Sequence, residues 1–85
     1  MRSLQVSVGT TATLLVDSDN VNRQVLIHAL SNTPVYLGAS DVTTSTGYLL
    51  EKDDGALQVS VPISEKLYAV VGTGTETVTV LLPDA

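Results

Sequence analysis

The sequence has no cysteine, no tryptophan and no phenylalanine, and a single histidine, His28. Without cysteine there is no disulfide framework and no thiolate zinc site. One imidazole does not build a histidine-rich metal site. Charge is sparse too: charged residues make up 15% of the 85-residue chain, against about 25% in ordinary soluble domains. The four basic residues form no cluster. Affinity for nucleic acid comes mainly from neutralising phosphates, so nucleic acid is disfavoured as a partner. An anionic membrane surface is disfavoured for the same reason. No run approaches the roughly 18 apolar residues of a membrane-spanning helix. The opening Met1-Arg2-Ser3-Leu4-Gln5 turns polar too early for a signal peptide. That predicts a product made and kept in a cytoplasm until it assembles.

Apolar residues are plentiful, at 44%, while the net charge is −5 and the sequence pI about 4.3. The length fits one domain spanning residues 1–85. A domain this small buries a modest fraction of its surface, and its apolar burial barely exceeds its conformational entropy. Disulfides and thiolate or histidine-rich metal sites being excluded, oligomerisation or docking onto a larger surface is the remaining remedy. Surplus apolar residues must lie on a surface, where they usually meet a partner. A core of Val, Leu, Ile and Ala with three Tyr is thin. It suits two sheets packed about 10 Å apart.

Strand signals recur along the chain. Leu4 to Val8 alternates. Thr11 to Val16 follows and ends at Asp17-Ser18-Asp19-Asn20, a turn-forming run. Asn22 to Leu30 is the longest candidate, with Val25, Ile27 and Ala29 on one face and Gln24, Leu26 and His28 on the other. After the turn Ser31 to Pro34 comes a short strand, Val35 to Leu37, closed by Gly38. Ala39 to Tyr48 reads as a Ser/Thr-rich loop, and Leu49-Leu50 as the start of an edge strand. Glu51-Lys52-Asp53-Asp54-Gly55 is a turn signal. Ala56 to Val61 alternates, Pro62 to Lys66 connects, and Leu67 to Val71 is apolar as a central strand would be. Gly72-Thr73-Gly74-Thr75 turns into the last strand, Glu76 to Leu82. No segment has helical periodicity. The fold expected is all-β, a small antiparallel sandwich or barrel of about seven to eight short strands.

The chemistry-bearing residues offer little to catalysis. His28 has no nucleophile motif to serve, and reads as a strand residue facing solvent or an interface. The runs Asp17 to Asn20 and Glu51 to Asp54 have the oxygen ligands calcium prefers. They lack EF-hand spacing, and read as turns. Gly72-Thr73-Gly74 has no phosphate-binding context and reads as a hairpin turn. Tyr36, Tyr48 and Tyr68 form either a stacking platform for sugars or bases, or rings packed in a core or interface with wet hydroxyls. The expectation is therefore a non-enzymatic protein without catalytic, cofactor or metal residues.

One stretch carries a resemblance. Asn32-Thr33-Pro34-Val35-Tyr36-Leu37-Gly38-Ala39-Ser40-Asp41-Val42-Thr43-Thr44-Ser45-Thr46-Gly47-Tyr48-Leu49-Leu50 resembles a recurrent pattern in small structural proteins of tailed bacteriophages. There a strand ending V-Y-L-G is followed by S-x-V-T-T-x-x-G and an aromatic or Pro-Leu step. Val8 to Leu15, Leu67 to Val70 and Gly74 to Leu81 fit the same pattern. Leu49 stands where the pattern often has proline, and Glu51 to Gly55 replaces a more usual Pro-Gly or Ala-Gly turn. The resemblance implies a β-sandwich, jelly-roll-like module on the virion, most like head decoration (capsid cement) proteins. It implies a homo-oligomer, with a trimer favoured, bound to the major capsid protein on the outer capsid surface and stabilising the shell. The alternative is a tail, fibre or baseplate component with a host-surface or glycan-binding role. On this reading Met1 to Gln5 is a flexible N-terminal arm that orders on docking, and Arg2 and Arg23 pair with capsid carboxylates. Leu4, Tyr36, Tyr48 and Tyr68 complete the set of candidate assembly contacts.

Overall fold

Alternation of Val and Leu with Ser, Thr and Gln is the local instruction for a half-buried strand, and it is repeated throughout this chain. The computed structural model describes residues 2–30, 33–51 and 55–83. Within them the instruction yields β1 (Arg2–Val8), β2 (Thr13–Val16), β3 (Arg23–Ala29), β4 (Val35–Gly38), β5 (Tyr48–Leu50), β6 (Leu57–Val61), β7 (Leu67–Val71) and β8 (Glu76–Leu82). Each expected strand is present. The Ser31 to Pro34 and Glu51 to Gly55 turns fall partly outside the described residues. Gly55 and Gly74 both have the positive φ (71° and 68°) that such turns ask of glycine.

Arg2 to Gln5, expected as an arm, lie inside β1. Arg2 faces Leu82 and Leu4 faces Val80 in an unbroken antiparallel ladder with β8. The reason is length: β8 continues to Leu82, so every residue from Arg2 onward has a partner. Met1 lies outside the described residues.

Pairing is nested. β1 pairs with β8, β2 with β7, β3 with β6 and β4 with β5, all antiparallel. The chain is thus one long hairpin with its tip at β4–β5, rolled so that alternate pairs fall in different sheets. The ladders β3–β8 and β4–β7 close each sheet. The result is two four-stranded sheets, β1-β8-β3-β6 (sheet 1) and β2-β7-β4-β5 (sheet 2). This is the jelly-roll form of the antiparallel sandwich.

The sheets enclose a single aliphatic layer. Val25, Ile27, Val78 and Val80 of sheet 1 meet Val35, Leu37, Ala69 and Val71 of sheet 2. On β2 two consecutive residues, Leu15 and Val16, are both buried. A register shift between Leu14 and Val16 permits this, because a bulge turns one extra side chain inward.

At one end of the sandwich the acidic turn after β2 is bound to the β6–β7 connector. Ser64, at φ 68°, donates its N–H to Asp19 O (2.9 Å), and Ile63 N–H reaches Asn22 Oδ1 (2.8 Å). Arg23 lies between the two loops, 6% exposed, donating to Asp17 O (2.6 Å) and Glu65 O (3.3 Å). A planar, forked cation can reach two carbonyls from one position.

Candidate assembly surface

Strand alternation fixes what each sheet shows to solvent. On sheet 1 the outward positions are Ser3, Gln5 and Ser7 of β1, Thr77, Thr79 and Leu81 of β8, Gln24, Leu26 and His28 of β3, and Gln58 and Ser60 of β6. Among the described residues this face holds no carboxylate, lysine or arginine. On its two middle strands Leu26 sits opposite Leu81, an apolar pair, and the neighbouring row places the polar His28 opposite Thr79. Leu26 is 40% exposed. Gln58 Nε2 donates to Gln24 Oε1 across the β3–β6 pair, so even the amides are partly satisfied within the face. In a chain of net charge −5, a whole sheet face without acids is a distinct surface.

The outward face of sheet 2 is built differently. Leu14 lies opposite Tyr68, and Val70 opposite Tyr36, which in turn faces Leu49. The Ser/Thr-rich segment from Ala39 to Gly47 folds back toward this apolar row. Val42 and Val70 are both buried, yet neither belongs to the inter-sheet core. Two glycines allow the fold-back. A Cβ on Gly38 would lie 2.8 Å from Val42 Cγ2, and one on Gly47 would lie 2.5 Å from Tyr36 Cβ. The segment satisfies its own polar groups. Gly47 and Thr46 N–H donate to Thr43 O (2.9 and 3.2 Å), Thr43 N–H to Thr46 Oγ1 (3.1 Å) and Val42 N–H to Ala39 O (3.0 Å). The close approaches of this segment thus involve Tyr36, Gly38, Val42 and Gly47, and its hydrogen bonds involve Ala39, Val42, Thr43, Thr46 and Gly47.

Two clefts open along the sides of the sandwich, where sheet edges leave the inner layer incompletely covered. One runs beside β1 and β2, lined by Arg2, Leu4, Val6, Leu15, Leu82 and Arg23, with Asp17 and Asp19 among its acidic groups. The other lies between β5 and β6, lined by Leu37, Tyr48, Leu57, Val59 and Leu67.

The sequence-derived contact residues divide among these surfaces. Arg2, Leu4 and Arg23 line the same cleft, but in different states. Arg2 is exposed at the start of β1, Leu4 is half-buried against the core, and Arg23 is buried, its two terminal nitrogens each donating to a backbone carbonyl while its buried Nε–H has no hydrogen-bond partner. The arginine expected to face a partner carboxylate is thus occupied in binding two loops. The three tyrosines do not make one platform. Tyr36 and Tyr68 share the outer face of sheet 2, whereas Tyr48 pairs with Leu37 on the opposite face, 66% exposed beside the β5–β6 cleft. The carboxylates of Asp17 and Asp19 accept the N–H of the next residue in their own turn, Ser18 (2.7 Å) and Asn20 (2.6 Å). Among the described residues no group of three or more His, Cys, Asp or Glu is placed to hold a metal ion. Sequence reasoning missed the uncharged face of sheet 1. The signal was present, as Ser, Thr and Gln at alternate positions of four separate segments, but it is coherent only once those segments are neighbours.

No protein-family model matches this sequence, and comparison with curated proteins and with solved structures returned no match.

Proposed function

We propose that this chain is a non-enzymatic virion structural protein, a decoration protein that binds as an oligomer to the outer surface of a tailed-phage capsid and stabilises it. The reading rests on the resemblance of residues 32–50 to small tailed-phage structural proteins. The observation that supports carrying it over is the compact fold-back at Gly38, Val42 and Gly47, since the recurrent residues are joined by contacts rather than scattered. The jelly-roll form is also found among viral capsid domains, a likeness of fold alone. A shell-binding protein requires an apolar seam between copies, a patch for the shell and a soluble remainder. The clefts beside the sheet edges, the uncharged face of sheet 1 and the acidic loops meet those needs. Several contacts per oligomer would add avidity. The test is binding of purified protein to shells lacking it. Saturable binding at micromolar concentration with raised shell stability is expected, and no binding would overturn the proposal.

One observation favours a second reading, a tail, fibre or baseplate component. Tyr48 stands exposed beside an apolar cleft, an arrangement suited to stacking on a sugar ring. Labelled protein located on tails, with glycan binding lost in Tyr48→Ala, would establish it in place of the first.

A further inference from the structure

The two sheets treat their edges in opposite ways. An exposed edge strand offers unpaired N–H and C=O groups to any other strand, and folded proteins blunt such edges by shortness, bulges, proline or charge. Sheet 2 is blunted at both sides: β2 carries the bulge at Leu15, and β5 is three residues long. Sheet 1 is not. β1 runs seven residues in unbroken register with no bulge or proline and no charge beyond Arg2. β6 runs five residues, Leu57–Val61, with neither charge nor proline. Both open edges have the same chemistry. Their outward residues are Ser and Gln, and their inward Leu4, Val6, Leu57 and Val59 are only partly buried against the core.

We propose that these edges are the seam between copies of this chain, with β1 of one copy paired to β6 of the next so that sheet 1 continues from copy to copy. The oligomeric part of the proposed function is the basis of this inference. Strand direction allows it. β1, β8, β3 and β6 alternate in direction, so β6 of a copy related by rotation about an axis along the strands lies antiparallel to β1. Side-chain parity selects the register. Placing Leu4 opposite Val59 and Val6 opposite Leu57 makes the four partly buried residues cover one another, and sets Ser3 opposite Ser60 and Gln5 opposite Gln58 outside. Charge supports a second copy as the occupant: two chains of net charge −5 repel, and this seam brings no acid of either strand into contact. Pairing β1 with a second β1 would leave every β6 edge open. One contact type covers both edges in all copies only when head-to-tail pairing closes into a ring.

The absence of cysteine makes crosslinking a clean test. Gln5 and Gln58 are exposed and lie on opposite edges of one copy, so a link between them joins two copies. In the full chain, Gln5→Cys/Gln58→Cys should crosslink on mild oxidation or with a short bis-maleimide, giving a ladder that ends at the oligomer's mass. Gln5→Cys alone, Gln58→Cys alone and a control, Gln5→Cys/Thr73→Cys, should stay uncrosslinked. Efficient crosslinking of Gln5→Cys alone would overturn the seam in favour of β1 on β1. An oligomer by solution mass whose double variant does not crosslink would overturn the seam and leave the oligomeric reading standing. A monomer at high concentration would overturn both. Leu4→Lys, which points a charge into the seam, should lower the mass to that of one chain with an unchanged far-UV spectrum. Should that variant not fold, the crosslinking result decides.

Discussion

The two sheets share one core and are otherwise unlike. Sheet 1 has three strands of seven residues and one of five, in regular register, with an uncharged face open to solvent. Sheet 2 has strands of three to five residues, a bulge, and an apolar outer row toward which a loop folds back. The difference shows that one sheet of a sandwich with a small aliphatic core adds to its burial and the other does not. Sheet 2 does so within the chain, where Val42 and Val70 are buried outside the main core. Sheet 1 leaves its edge residues Leu4, Val6, Leu57 and Val59 only partly buried.

The largest test of this contrast strikes what the sheets have in common. Ile27 is 1% exposed at the centre of the core, and Ile27→Ala should cost about 2–5 kcal/mol in chemical denaturation. Both sheets should melt together in that variant; separate transitions would show that they are not one cooperative unit. Next is the sheet 2 fold-back. Gly47→Ala forces a Cβ against Tyr36 and should cost about 1–3 kcal/mol. Gly9→Ala, with nothing within 4 Å and no positive φ, should cost far less, and equal losses would refute the close-packing explanation.

Arg23→Lys should cost about 1–2 kcal/mol, because a single ammonium cannot reproduce the fork that reaches Asp17 O and Glu65 O. Val42→Ala should cost about 1 kcal/mol. Its more telling effect is local: amide exchange at Thr46 and Gly47 should speed up while β3 and β8 amides keep their protection. Uniform acceleration would mean that the loop and the core open as one. Smallest of all, Leu26→Ser on the open face of sheet 1 should change monomer stability by less than about 0.5 kcal/mol. A large loss there would show that this face is already covered.

Much of this was legible in the residues. Ser/Thr/Gln alternating with Val and Leu located the strands, as in Leu57–Val61 and Glu76–Leu82, because side-chain period is a local property of the extended chain. The extent of β1 was not, since Arg2-Ser3 carries no strand signal of its own and is ordered only by Leu82 and Leu81 opposite. Of the candidate contacts, Arg2 and Tyr48 stand exposed. Arg23 could not be placed from sequence. Its burial depends on carbonyls of Asp17 and Glu65, and Glu65 is 42 positions away.

The sequence by itself determined that the chain is all-β, without disulfides, acidic, and built around aliphatic side chains with few aromatics. Those properties follow from composition and from periodicity within each strand. The tertiary structure decided the rest, because it depends on which distant segments become neighbours. Nested pairing collects four uncharged outward rows into one face. A bulge and a folded loop close off one sheet, and two regular edges of the other stay open. The absence of cysteine, phenylalanine and tryptophan leaves a thin aliphatic core, and only the fold shows which side chains add to it and which edge residues stay half-buried.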